Sequence, residues 1–294
     1  MTDLSGDGFA ELAARWPATV EEQYLTLVRE SDLPEDWLET TLDCYSTEAG
    51  YYSLALYGEL EPMKDRINEN IAQRLAAANC RAVLDAGVGD GHRLAKICSI
   101  VHVHGAATPK MFGIELSEQM SDQAERRGVH VVREDMRGGI PHFGPELDSI
   151  LFLSGDFGYL MDPRDGHDLR LRVLDSAFER LSPRGQLFME LLTLDPRAVG
   201  DGADVYFFSR VPWVTDPDQP TPTRLRGPET WQYVKTFTLP EVRSLIEASR
   251  FDAGRSSMQY VVRGSPNEER IGEFVDEEAI TEDEAYRILV WLPK

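Results

Sequence analysis

From residue 82 onward, short apolar runs alternate with longer amphipathic ones. Ala82-Val83-Leu84-Asp85 reads as a strand, and residues 92–103 repeat their apolar positions at helical spacing. Met111-Phe112-Gly113-Ile114-Glu115 is a second strand, after which Ser117 caps a helix through Arg127 that Gly128 ends. Residues 129–133 form a third strand. Residues 147–153 form a fourth, whose apolar run over 150–153 suits a parallel strand covered on both faces. A helix over 169–181 closes at Ser182-Pro183-Arg184-Gly185, and 186–192 is a fifth strand. This rhythm predicts an α/β fold with a parallel sheet.

Residues 8–80 carry no strand pattern. Short amphipathic pieces at 22–30 and 36–44 precede a longer helix over 62–78 with Pro62 in its first turn. Past Leu192 the rhythm breaks: residues 195–235 are rich in Pro, Asp, Gly and aromatics. Val205-Tyr206-Phe207-Phe208 and Trp231-Gln232-Tyr233-Val234 read as strands of an inserted cap, whose aromatics, with Trp213, either roof a pocket or form the cap's own core. A helix over 239–249, a strand over 258–263, an acidic stretch over 268–284 and a last strand over 286–291 follow. The predicted architecture is a Rossmann-like, seven-stranded, mostly parallel sheet with one antiparallel hairpin edge. Residues 1–80 form an N-terminal helical cap, and 81–294 the sheet domain with a capping insertion at about 195–235.

Charge narrows the partners. The 294 residues hold 51 acids against 30 bases, a formal charge of −21, which repels a nucleic-acid backbone and favours neutral or cationic small molecules. No stretch approaches the roughly 18 apolar residues of a membrane span, and no basic-then-apolar leader is visible. Cys44, Cys80 and Cys98 are odd in number and widely spaced, which suits a reducing cytoplasm. Neither cysteines nor histidines have metal-ligand spacing, so no metal is expected; His142 and His167, following the third and fourth strands, are outside candidates for a base. Monomer and homo-oligomer are both left open.

The chemistry concentrates after the first strand. Asp85-Ala86-Gly87-Val88-Gly89-Asp90-Gly91 sets an acid and three alternate glycines between strand and helix. A turn there brings backbone against a ligand, and a Cβ would block both; such a turn alone can also be structural. The dinucleotide fingerprint would need glycine where His92 stands, and the Lys-Ser/Thr pair of a P-loop is absent. Glu115 ends the second strand and Asp135 follows the third, so three strands each deliver a carboxylate to one sheet edge, which suits a nucleoside carrying positive charge.

These residues resemble the cofactor motifs of class I S-adenosylmethionine-dependent methyltransferases. The resemblance implies that Asp85, Gly87, Gly89 and Gly91 cradle S-adenosylmethionine. Glu115, with Leu116 beside it, would accept from the ribose hydroxyls, and Asp135 and Met136 would hold and cover the adenine. Leu153-Ser154-Gly155-Asp156-Phe157-Gly158-Tyr159-Leu160 is similar to the substrate-facing loop of small-molecule N-methyltransferases such as glycine N-methyltransferase. The same likeness places Leu153 in the cofactor site and leaves Asp156 and Tyr159 as the polar groups nearest the transferred methyl. It also puts Tyr45 and Tyr57 near the sulfonium, and Lys64 where that family holds the methionine carboxylate. The pattern departs at Leu192 and Gly155, where glycine N-methyltransferase carries an arginine for the substrate carboxylate and an asparagine. Glycine is therefore not the implied acceptor, and a more apolar pocket is expected there.

The implied function is methyl transfer to a small molecule, more readily at nitrogen, with Asp156 orienting or deprotonating the amine. Two alternatives stay open: cyclisation of S-adenosylmethionine to azetidine-2-carboxylate with release of methylthioadenosine, and a non-catalytic module that binds the same nucleoside.

Overall fold

The computed structural model describes residues 26–193, 205–210, 213–214, 223–224, 230–265, 267–281 and 285–294. Within these it describes the side chains of 29–42, 62–193, 233–263, 265, 267–281 and 286–294. The chain runs β1 (Thr26–Val28), α1 (Trp37–Ala77), β2 (Ala82–Ala86), α2 (His92–Val103), β3 (Lys110–Ile114), α3 (Glu118–Arg126), β4 (His130–Val132), β5 (Leu147–Phe152), α4 (Gly166–Arg180) and β6 (Leu181–Leu192). Then come β7 (Val205–Arg210), β8 (Trp213–Val214), β9 (Thr223–Arg224), β10 (Thr230–Lys235), α5 (Leu239–Ala248), β11 (Ser257–Gly264), β12 (Phe274–Val275) and β13 (Ala285–Pro293).

The main sheet has the order β12-β11-β13-β6-β5-β2-β3-β4. β2 to β6 are mutually parallel, while β13 lies antiparallel between β6 and β11. Alternate strand residues face opposite sides. Leu84, Ile150, Phe152, Leu187 and Met189 pack under α4 and α5 with Val173, Leu174, Val242 and Leu245. Val83, Leu151 and Phe188 pack on the other face against Met63, Ile67 and Ile71 of α1 and Leu94 and Ile97 of α2. Burying each such side chain contributes roughly 1.5–3 kcal/mol. Both faces being covered is why residues 150–152 and 187–189 are apolar at consecutive positions.

The mostly parallel α/β sheet follows the expectation from sequence, with eight strands in place of seven because β12 adds an edge. The closing hairpin forms, but β13 is its inner strand: Ile288, Leu289, Val290 and Leu292 are all buried. Ser182-Pro183-Arg184-Gly185, read as a helix end, falls instead within β6, where the register against β5 shifts.

The N-terminal part differs more. Thr26–Val28, read within a helix over 22–30, is a strand because it finds β7: Thr26 pairs Phe207 and Val28 pairs Val205. β10 pairs the other edge of β7, giving a small sheet β1-β7-β10. α1 is one helix of 41 residues with Pro62 inside it rather than in its first turn. An interior proline costs about 3 kcal/mol. The helix continues because both ends are anchored, Trp37 against Met161 and Tyr233, and Met63 to Leu75 under the sheet. Among the described residues no helix is long and apolar enough to cross a membrane, and no group of His, Cys, Asp or Glu could hold a metal ion.

Candidate functional site

Because β2 to β6 are parallel, their carboxyl ends share one edge, and antiparallel β13 brings its amino end to the same edge. The glycine turn leaves β2 there. Gly87, Gly89 and Gly91 have φ of +87°, +55° and +76°. A Cβ on Gly87 would lie 2.6 Å from Asp156 Cγ, whereas one on Gly89 would meet nothing within 4 Å among the described residues. The turn is thus closed against Asp156 on one side and open on the other.

Glu115 stands at the tip of β3 and is held by backbone: Gly89 N donates to Oε2 at 3.0 Å and Ser117 N to Oε1 at 2.8 Å. Burial raises its pKa, and the N–H groups of Ser117, Gly89 and Leu116 oppose that. An ionised carboxylate has about four acceptor positions, so these contacts do not exhaust its capacity to accept. Leu116 beside it is exposed.

Asp135 caps a short turn after β4. Its carboxylate accepts from Arg137 N at 2.9 Å, from Nε at 2.8 Å and from Nη2 at 2.6 Å. Partial burial raises its pKa, but the Arg137 contacts outweigh that and lower it. The guanidinium of Arg137 also lies 5.5 Å from the Trp37 ring centre. Met136 is half-buried against the α4 side of the sheet.

Beneath the glycine turn lies a charged network that the sequence reading did not single out. Glu190, in the apolar strand β6, is buried and pairs with Arg93 Nη1 at 2.6 Å. Arg93 also donates to Asn68 Oδ1 at 2.8 Å and to Ser154 Oγ at 2.9 Å. Ser154 N donates to Glu190 Oε2 at 3.2 Å, and Gly155 N to the Glu190 carbonyl at 3.1 Å. These bonds hold Ser154 at φ +55°, a left-handed conformation costly for serine, and aim the Asp156 loop. Burial alone raises the Glu190 pKa, yet Arg93, Arg287 and Lys64 pull it down to about 2.

Lys64 of α1 is buried and reaches this network. Burial first, then Arg93, brings its pKa down to about 8, while Glu190 opposes the shift. Asp85 is buried, with Oδ1 lacking a hydrogen-bond partner among the described residues. Burial pushes its pKa up to about 8, against the pull of Arg93 and with help from Glu190 and Glu115. Asp156 is raised well above the usual carboxylate range by burial, then by Asp85, Glu115 and Glu190. Tyr159 closes the same turn and is half-buried.

Lys64, Asp85, Glu115 and Asp156 thus come together on one edge. Leu153 brings only backbone, because its side chain packs in the core with Val83 and Leu151. Tyr45 and Tyr57 lie within α1, but their side chains are outside the described residues, as are those of Tyr206, Phe207, Phe208, Trp213 and Trp231. His142 and His167 are exposed, with His142 Nδ1 accepting from Gly144 N, and neither joins the network. Where an apolar pocket is expected, the Leu192 side chain packs closest to Gly155, within 2.9 Å of a Cβ there, and a charge stands beside it. Arg287 of β13 pairs in register with Leu192, and its Nη1 lies 3.5 Å from where a Gly155 Cβ would be. The available signal was a charged residue interrupting an apolar strand, true of both Glu190 and Arg287.

No protein-family model matches the chain, and no curated protein shows significant similarity to it. Solved structures do. The 1,6-didemethyltoxoflavin-N1-methyltransferase of Burkholderia thailandensis, solved with 1,6-didemethyltoxoflavin and S-adenosylhomocysteine, is 16% identical, with a TM-score of 0.54 over 92% of this chain and 94% of its own. A S-adenosylmethionine-dependent methyltransferase of Clostridium acetobutylicum ATCC 824 is 13% identical, with a TM-score of 0.52 over 85% and 98%. The sugar N-methyltransferase KedS8 of Streptoalloteichus sp ATCC 53650 is 15% identical, with a TM-score of 0.50 over 83% and 92%. At such identities the likeness is one of fold: this chain has the mostly parallel α/β fold of the class I S-adenosylmethionine-dependent methyltransferases.

Proposed function

We propose that the protein is an S-adenosylmethionine-dependent methyltransferase acting on a small molecule, at nitrogen. The observation that carries this reading is the open side of Gly89 next to a Glu115 carboxylate held by two backbone N–H groups. Three further features suit the same ligand. Asp85 Oδ1 is a buried acceptor without a donor among the described residues. The carboxyl groups of Asp85 and Asp156, whose pKa burial raises, would be drawn back towards the ionised form by a bound cation. Two solved structures of the same fold are N-methyltransferases.

When bound, S-adenosylmethionine supplies a methyl carbon activated by a sulfonium. In this reading Glu115 accepts from the ribose hydroxyls, Lys64 meets the methionine carboxylate, Asp135 and Met136 flank the adenine, and Tyr45 and Tyr57 lie towards the sulfonium. Asp156 takes the proton that the amine loses. Burial and the neighbouring acids raise its pKa, which makes its carboxylate a stronger proton acceptor once ionised. Free Cys80 and Cys98, their thiols pushed up to about 12 by burial, fit a cytoplasmic enzyme.

The test is to incubate the protein with S-adenosylmethionine, alone and with a pool of small amines, and to identify the nucleoside released. S-adenosylhomocysteine formed only with the pool is the expected result. Methylthioadenosine formed without an acceptor would replace methyl transfer by cyclisation, and binding without either product would make the protein a binding module. Asp156→Asn should lower turnover far more than affinity for S-adenosylhomocysteine; loss of binding instead would move Asp156 into the cofactor site.

A further inference from the structure

Glu30 follows β1, far in sequence from the parallel strands, yet its carboxylate is buried. It accepts from Arg170 Nη1 at Oε1 and from Nη2 at Oε2, both 3.0 Å, and from Asp162 N at 3.0 Å. Arg170 Nη1 also donates to the Leu160 carbonyl at 2.9 Å. Gly166, the first residue of α4, passes so close that a Cβ there would collide with Glu30 Oε1. A buried ion pair gains little over an apolar pair of the same size, because both charges lose their water, but a two-pronged one fixes relative placement.

What this pair places is informative. Leu160 and Asp162 directly follow the Asp156–Tyr159 turn, while Glu30 continues the chain out of the β1-β7-β10 sheet. Two more joints connect the same parts. Leu33 and Trp37 pack with Met161 and with Tyr233 of β10. β10 also lies against the turn itself, since a Cβ on Gly158 would come within 2.6 Å of the Lys235 carbonyl oxygen. Thr41 Oγ1 accepts from Tyr233 N at 3.1 Å and ties α1 to the same strand.

We propose that Glu30 and Arg170 are positioning residues that hold the β1-β7-β10 sheet closed over the turn carrying Asp156 and Tyr159. The pair thereby sets how long the nucleoside stays bound. The second half of this inference rests on the methyltransferase reading; the coupling of the two segments does not.

The experiment uses the full chain and the Glu30→Gln variant, which keeps the side chain's size and removes its charge. Two quantities are read: S-adenosylhomocysteine release by stopped flow, and backbone hydrogen exchange. Release should speed at least tenfold. Exchange should rise together in residues 26–33 and 156–165 while β2, β3 and β5 keep their protection. A pair that merely adds stability would raise exchange in those strands as well, and that result overturns the proposal. So does exchange rising in 26–33 alone, or a release rate within twofold of the parent. Should Glu30→Gln fail to fold, Arg170→Lys, which keeps the charge and loses the fork, carries the same test. If the parent protein does not bind S-adenosylhomocysteine at all, the functional reading fails, and the paired exchange still decides whether the two segments are coupled.

Discussion

Gly87 and Gly89 sit two residues apart in one turn, and alanine at each should fail in a different way. At Gly89 the backbone has φ +55° and a Cβ would meet no atom of the described residues within 4 Å. Left-handed backbone costs an alanine about 1–2 kcal/mol, and the stiffer unfolded chain returns about 0.4–1 kcal/mol. The net loss is about 1 kcal/mol, a fall in Tm of about 2 °C for a chain of this size. The Gly89 N–H bond to Glu115 needs no side chain and persists. The new methyl, however, fills the space proposed for the nucleoside, so affinity for S-adenosylhomocysteine should fall at least 100-fold, about 2.7 kcal/mol. At Gly87 the φ of +87° adds to a Cβ placed 2.6 Å from Asp156 Cγ and 2.9 Å from Oδ2. The buried carboxyl must be displaced, and the expected loss is about 2–4 kcal/mol of stability. Calorimetry of unfolding and titration with S-adenosylhomocysteine on both variants separate the two effects. Gly89→Ala binding within threefold of the parent would remove the ligand from that face of the turn. Gly87→Ala as stable as Gly89→Ala would mean that Asp156 does not pack there.

Asp85→Asn tests the buried acid. With its pKa raised to about 8, Asp85 takes up a proton on folding, so its contribution is full below about 3.8 and is lost as pH rises towards 8. The variant should therefore be more stable than the parent at pH 8 in urea melts, and an unchanged pH slope refutes the assignment. Glu190 has the opposite sign: held down at about 2, it stabilises above its ordinary value near 4.5 and less as pH falls towards 2. Glu190→Gln leaves Arg93 buried without its counter-charge and should cost about 3–5 kcal/mol; a loss below 1 kcal/mol would show that the pair is not buried in solution. Arg137→Ala frees Asp135 Oδ2, while the backbone N–H of residue 137 stays on Oδ1, so if Asp135 receives the adenine amine, affinity for S-adenosylhomocysteine should rise several-fold. A fall would assign the nucleoside contact to Arg137 itself.

Legibility in the sequence followed the range of the interactions. β2, β3, β5 and β6 were readable because both faces of each strand meet apolar partners, so each carries an apolar run that can be read without its neighbours being known. The glycine turn was readable because positive φ is a local demand that glycine meets. β1 was not, since three residues carry no period and only pairing with β7 makes them a strand. Nor was the continuity of α1 through Pro62, which depends on burial at both helix ends. The site divides the same way. Asp85, Glu115 and Asp135 lie where strands end, and a strand end can be found from one segment. Glu190, Arg93 and Arg287 lie on three different elements, and each alone looks like a misplaced charge in an apolar stretch. Their common purpose exists only where β6, α2 and β13 meet. A lone charge inside an otherwise apolar strand or helix face is therefore best read as half of a pair. Burying it unpaired would cost several kcal/mol, so the folded chain must supply the other half from elsewhere, and here those halves converge under the turn that carries Asp156.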